Sequence, residues 1–224
     1  MTIEDRLKAL GEHIAEAALR AGRDPGEVKL IAVTKSVDEQ RIREAIALGV
    51  ERIGENRVQE LLNKYDSFEN AEKHLIGQLQ TNKVKKVVGR VDLIHSVDRL
   101  NLAREIHRCA AAAGIVCPVL IQVNLGQEPQ KGGVSPEELV DLAGAMLEMG
   151  NLKPVGLMTV PPICPKDEAR RYFAKLRRLL DDCNRALAID MTELSMGMSS
   201  DYCEGILEGA TFVRIGTALF GRRL

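Results

Sequence analysis

The 224-residue chain has no tryptophan, and aromatic residues make up only 3% of it. A surface that binds single-stranded nucleic acid by stacking its bases has little to build on. Lys and Arg number 31 against 32 Asp and Glu, a formal net charge of -1. No bulk excess of positive charge is available for a polyanion or an anionic membrane. The five cysteines, at 109, 117, 164, 183 and 203, form no C-x-x-C pair, and the four histidines form no H-E-x-x-H motif. A disulfide framework and a zinc site are therefore not expected, and a reducing compartment is. The longest apolar run, Cys109 to Ile121, contains Gly114 and Pro118 and is too short to span a bilayer. The N-terminus, MTIEDRLKAL, is acidic and amphipathic, unlike a secretory leader. A cytoplasmic protein is expected, and with no coiled-coil seam, a monomer.

What is present is an alternation. Residues 2–21 form an amphipathic helix pattern, with Ile3, Leu7, Leu10 and Ile14 on one face and a capping-box-like Thr2 and Asp5. Eight short apolar runs follow, at 29–34, 51–55, 73–78, 91–97, 116–124, 152–160, 192–197 and 211–216. Helical segments lie between them, one from Asp38, one capped by Ser135-Pro136-Glu137-Glu138, and a long one over 166–188. Eight strands with intervening helices predict a TIM (β/α)8 barrel preceded by an extra helix, in one domain over residues 1–224. An open doubly wound sheet would place a G-x-G-x-x-G turn after the first strand, and Lys-Ser-Val-Asp stands there instead.

In such a barrel, function gathers at the carboxyl ends of the strands, and phosphate sites often follow strands 7 and 8. Strand 7 runs into SMGMSSDY, with Ser199, Ser200 and a helix opened by Asp201; strand 8 runs into RIGTALFG, with Gly216 and Thr217. Two strand-to-helix turns at those positions suit a phosphate dianion, although each alone reads as an ordinary cap. In TFVRIG, alternation puts Val213 and Ile215 on one face and Phe212, Arg214 and Gly216 on the other. With the aliphatic pair against the helices, Arg214 points into the barrel and needs a partner. That partner is either a ligand or an internal carboxylate such as Glu55 or Glu193. Barrel closure sets strand 1 beside strand 8, which brings Lys35, the end of LIAVTK, next to Arg214. A phosphorylated aldehyde held as a Schiff base on Lys35 is the ligand these parts suit.

The segments AVTK (32–35), GENRVQE (54–60), HLIGQLQTNK (74–83), HSVD (95–98), GLMT (156–159), LSMGMSSDY (194–202) and VRIGTALFG (213–221) resemble the YggS/PROSC family of pyridoxal phosphate homeostasis proteins. The resemblance covers essentially the whole chain, in order. It implies a fold-type III barrel, like the barrel domain of alanine racemase, carrying pyridoxal 5′-phosphate (PLP). It makes Lys35 the Schiff-base lysine, Ser199, Gly216 and Thr217 phosphate-cup residues, and Arg214 the arginine facing the pyridine nitrogen. Asn56, His74 and Asn82 fall in segments that line the family's cofactor pocket. A permanently cationic donor at that nitrogen weakens the ring as an electron sink.

Three functions follow from these residues. A non-enzymatic PLP carrier or regulator, serving apo PLP-dependent enzymes as partners, is the expected one. An amino-acid racemase would need a second acid/base group opposite Lys35. Tyr65 and Tyr172 sit in predicted helices, Tyr202 has no evident path to that face, and no β-domain is expected after Leu224. A class I aldolase-type barrel would explain the lysine and the phosphate turns but not Arg214. Three secondary features are read plainly: the basic run at 81–90 as a solvated helix face, Lys131 as a surface-loop residue at the mouth, and His95 as a pocket or core histidine. Met158, Met196 and Met198 are expected to pack the barrel, and Cys203 to be a small buried residue.

Overall fold

Burial follows the alternation read from the strands. On β8 (Phe212–Ile215), Val213 and Ile215 pack with the helix layer. Phe212 instead joins Ile31, Leu93, Leu120 and Met158 in a second apolar cluster, built from five different strands and therefore inside a barrel. The computed structural model describes residues 1–126, 128 and 131–221. Leu224, and Pro129 and Gln130 beside Lys131, lie outside the described residues.

The remaining strands are β1 (Lys29–Val33), β2 (Arg52–Glu55), β3 (Glu72–Leu75), β4 (Leu93–Val97), β5 (Cys117–Gln122), β6 (Leu152–Met158) and β7 (Glu193–Met198). All pair in parallel and in chain order, and β1 with β8 closes the barrel. The closing register sets Ile31 opposite Arg214 and Ala32 opposite Ile215, so the chain reaches Lys35 just beyond the level of Gly216.

The helices are α1 (Ile3–Arg20), α2 (Glu39–Ala47), α3 (Val58–Asn63), α4 (Leu100–Ala113), α5 (Leu139–Leu147), α6 (Lys166–Leu187), α7 (Tyr202–Leu207) and α8 (Thr217–Phe220). The Thr2 and Asp5 capping box forms as expected, and Asp38 caps α2 by accepting from the Arg41 N–H. α1 packs on α7 and α8, which brings the extra N-terminal helix over the end of the barrel where strands 7 and 8 finish.

Several boundaries differ from the sequence expectation. Ser135 and Glu138 do bond each other, but residues 136–138 form a turn and the helix begins at Leu139. The preceding chain is still bonded to β5 through the Val134 N–H and the Gln122 carbonyl, so the helix starts one turn later. The basic run gives a 3-10 helix over Thr81–Lys86, with Lys85, Lys86 and Arg90 exposed. Met158 and Met196 are buried as expected, whereas Met198 is half-buried at the barrel mouth. Cys203 is also half-buried, and burial pushes its thiol up. No helix among the described residues is long and apolar enough to cross a membrane.

Candidate binding site at the C-terminal mouth

The turn after β1 is held from outside the barrel. Thr34 Oγ1 donates to Glu55 Oε1 at 2.7 Å, and Lys64 Nζ donates both to that oxygen at 3.0 Å and to the Thr34 carbonyl at 2.9 Å. Glu55 is fully buried, and desolvation raises its pKa above the ordinary carboxylate value despite the Thr34 and Lys64 bonds. The Val37 N–H closes the turn onto the Thr34 carbonyl, and Ser36 takes a positive φ of 59°. Residue 34 is thus fixed through both its hydroxyl and its carbonyl, immediately before Lys35. Lys35 itself is half-buried and has no hydrogen-bond or ion-pair partner among the described residues.

Across the mouth, Arg214 is only 4% exposed. Its Nη1 donates to Ser195 Oγ at 2.7 Å and its Nη2 to the Thr159 carbonyl at 2.8 Å. The two bonds fix the plane of the guanidinium against β7 and the end of β6. Burial lowers its pKa to about 10, with Asp201 the favourable charge nearby. Neither internal carboxylate considered for it is a partner: Glu55 is engaged by Lys64, and Glu193 bonds Lys29 at 2.6 Å and Thr211 at 2.6 Å.

Between β7 and β8, the Asp201 carboxylate accepts from the Met198 N–H at 2.6 Å, and Ser199 Oγ accepts from the Ala218 N–H at 3.3 Å. The first bond shapes the turn after β7 and the second ties that turn to the start of α8. Gly197 has a φ of 91°, and a Cβ there would stand 2.8 Å from the Tyr202 Cα, so the loop needs glycine on both counts. Helices α7 and α8 have six and four residues. Elements that short carry little macrodipole, so an anion here would rest on N–H groups, hydroxyls and cations.

These parts surround one cavity of about 1110 Å³. It is lined by Lys35, Asn56, Ser199, Arg214, Gly216 and Thr217, six of the residues named from sequence, together with Arg6, Arg41, Ser36, Ser200 and Met198. Asn56 is set by Gly77, whose missing Cβ would fall 2.1 Å from the Asn56 carbonyl oxygen. Among the described residues, four cationic side chains and no acidic one line the space.

Two named residues stand apart. Asn82 is exposed on its 3-10 helix and does not line the cavity. His74, the third of the four residues of β3, faces the barrel interior but borders a different cavity at the N-terminal mouth. The three tyrosines also lie elsewhere: the Tyr202 hydroxyl is 3.2 Å from His13 on α1, Tyr65 lies under Lys73, and Tyr172 borders a surface pocket on α6. Lys131 is tied down by Glu128 at 2.5 Å and the Pro161 carbonyl at 3.2 Å. Arg6 and Arg41 were not apparent from sequence. A signal for Arg41 was available, because it lies one turn into the helix that follows Lys35.

The fold and the site together define a closed parallel (β/α)8 barrel with Arg6, Lys35, Arg41 and Arg214 gathered at its C-terminal mouth. The chain matches the model of the family described as alanine racemase, N-terminal domain, over residues 6–223, and belongs to that family. It is 50% identical over 222 residues to the pyridoxal phosphate homeostasis protein of Aquifex aeolicus, covering 98% of this chain and 97% of that protein. It is similar to the solved structure of PipY from Synechococcus elongatus PCC7942 with PLP bound, at 36% identity and a TM-score of 0.86, covering 98% of this chain and 100% of that one. Alanine racemase of Clostridium difficile 630 shares the fold alone, at 16% identity and a TM-score of 0.75, with 57% of its chain covered.

Proposed function

We propose that this chain binds pyridoxal 5′-phosphate at the C-terminal mouth and serves intracellular PLP homeostasis as a carrier or regulator in the cytoplasm, without turnover of a substrate. The observation that carries the reading is the lining of the cavity, where Arg6, Lys35, Arg41 and Arg214 converge with no carboxylate among the described lining residues. Such a site favours a small, strongly anionic ligand. Ser199, Gly216 and Thr217 would hold the phosphate, Asn56 would flank the ring, and Arg214 would face its nitrogen. When bound, the cofactor supplies an aldehyde with which the Lys35 amine condenses, releasing water.

The absence of turnover is supported by what else lines the mouth. Apart from Lys35, the described lining residues include no tyrosine, histidine, cysteine or carboxylate that could move a proton on the opposite face. Arg214, anchored by Ser195 and Thr159, keeps a permanent charge where an electron-withdrawing ring would need a carboxylate partner. The 50% identity to a pyridoxal phosphate homeostasis protein supports the same assignment.

The test mixes PLP-loaded protein with an apo PLP-dependent enzyme and follows both absorbance and the gain of enzyme activity. Loss of the visible band coupled to activation faster than with free PLP is expected. Racemisation of a common amino acid at ordinary enzymatic rates would replace the carrier with a racemase.

A further inference from the structure

A chain of hydrogen bonds crosses the barrel from one mouth to the other. Arg214 Nη1 is 2.7 Å from Ser195 Oγ, and Ser195 Oγ is 2.9 Å from His95 Nδ1. His95 Nε2 is 2.9 Å from His74 Nδ1, and His74 Nε2 is 3.3 Å from Glu72 Oε2. The members come from β8, β7, β4 and β3. The Phe212 ring lies edge-on to both imidazoles, at 5.5 and 5.6 Å. Arg214, Ser195, His95 and His74 are buried, whereas the Glu72 carboxylate is half-exposed in the N-terminal cavity.

We propose that Ser195, His95 and His74 are positioning residues for Arg214, forming a one-way donor relay that ends on Glu72. The proposal rests on the reading that Arg214 faces the ring nitrogen of PLP. The direction follows from donor arithmetic. Arg214 can only donate, so Ser195 Oγ accepts from it. The serine proton then has His95 Nδ1 as its available acceptor, which leaves the His95 proton on Nε2. That proton goes to His74 Nδ1, and the His74 Nε2 proton goes to the carboxylate. Every group is satisfied with both rings neutral. Burial favours neutral rings and lowers both pKa values. The reverse ladder with neutral rings would aim a His74 lone pair at Glu72.

The consequence reaches Arg214. A serine whose proton is committed to His95 presents lone pairs to the guanidinium and competes for none of its acceptors. Without the relay, the Ser195 hydroxyl could rotate and the Arg214 plane would be held by Thr159 alone. A pair of space-filling core histidines would not require this tautomer, nor would it affect a ligand at the other mouth.

The experiment has two arms. In ligand-free protein labelled with ¹⁵N-histidine, both rings should be neutral at neutral pH, with the proton on Nε2. A His95 proton on Nδ1, or a charged ring, would overturn the relay. In the second arm, Ser195→Ala and His95→Phe should each weaken PLP binding about tenfold and shift its absorbance band. His95→Asn, whose carbonyl oxygen replaces Nδ1 as the acceptor, should stay within about threefold of wild type. Wild-type band and affinity in His95→Phe would sink the proposal. Should His95→Phe not fold, Ser195→Ala against His95→Asn decides by the same criteria. If wild-type protein forms no band with PLP, the functional reading fails, while the tautomers still judge the relay.

Discussion

The two mouths of the barrel carry opposite charge and treat it differently. Arg6, Lys35, Arg41 and Arg214 line the C-terminal mouth, while Glu72, Asp92, Asp190 and Glu193 line the other, with Lys153 and His74. At the N-terminal mouth the charges are largely engaged within the protein. Glu72 pairs with Arg52 at 3.0 Å, and Glu193 with Lys29 at 2.6 Å. At the C-terminal mouth none of the four cations has a carboxylate partner among the described residues. Arg214 bonds a hydroxyl and a carbonyl, and Arg41 bonds the Phe220 carbonyl. One end pairs its charges internally, while the other gathers cations without carboxylate partners, as the proposed binding of an anion there requires. A net charge of -1 conceals this polarity, because totals add charges that the fold separates.

Predictions that probe this difference begin with Arg214. Arg214→Met should cost PLP about a hundredfold in affinity, or ~2.7 kcal/mol. It should lower ligand-free stability by less than about 1 kcal/mol, because a buried guanidinium without a carboxylate contributes little to folding. Isothermal titration and chemical denaturation measure the two quantities; a large loss of stability with unchanged affinity would place Arg214 on the structural side. Next, Arg41→Ala should weaken PLP about tenfold, whereas Lys153→Ala at the opposite mouth should change it by less than about twofold. Equal effects from the two ends would erase the comparison.

A smaller effect concerns Glu55, which braces the Lys35 turn from outside the sheet. Its pKa is raised in the folded state, chiefly by burial, so the folded protein binds more protons than the unfolded chain between the two values. The stabilising contribution is therefore present in full below the ordinary glutamate value and is lost as pH rises through the raised one. Denaturation of Glu55→Gln across that window should show the variant gaining on wild type as pH rises. The opposite slope would mean that the Lys64 pair dominates burial.

Much of the fold was legible because each strand announces itself as a short apolar run and each helix by a 3.6-residue stripe. Alternation on β8 was enough to send Arg214 inward, and barrel closure was enough to bring Lys35 to it. The same alternation correctly turns His74 inward, but it says nothing of depth along the barrel axis. His74 is opposite Gly54 on β2 and Leu93, the first residue of β4, and borders the N-terminal cavity rather than the one lined by Lys35 and Arg214. Depth depends on strand register, which apolar periodicity does not encode. Arg6 and Arg41 were hidden for a related reason. They reach the cavity from helix faces, and which helix end overhangs the barrel is settled by packing such as that of α1 on α7 and α8. The Thr34, Glu55 and Lys64 cluster joins residues at the ends of three elements, β1, β2 and α3, and no spacing in the sequence marks it.

The most direct measurement is borohydride reduction of PLP-treated protein, followed by peptide mapping of the modified lysine by mass spectrometry. The pyridoxyl group should be found on Lys35, and Lys35→Ala should abolish both the modification and the visible band. Modification spread over Lys131 and the exposed Lys85 and Lys86, with Lys35 unmarked, would contradict the assignment of the C-terminal mouth as the cofactor site.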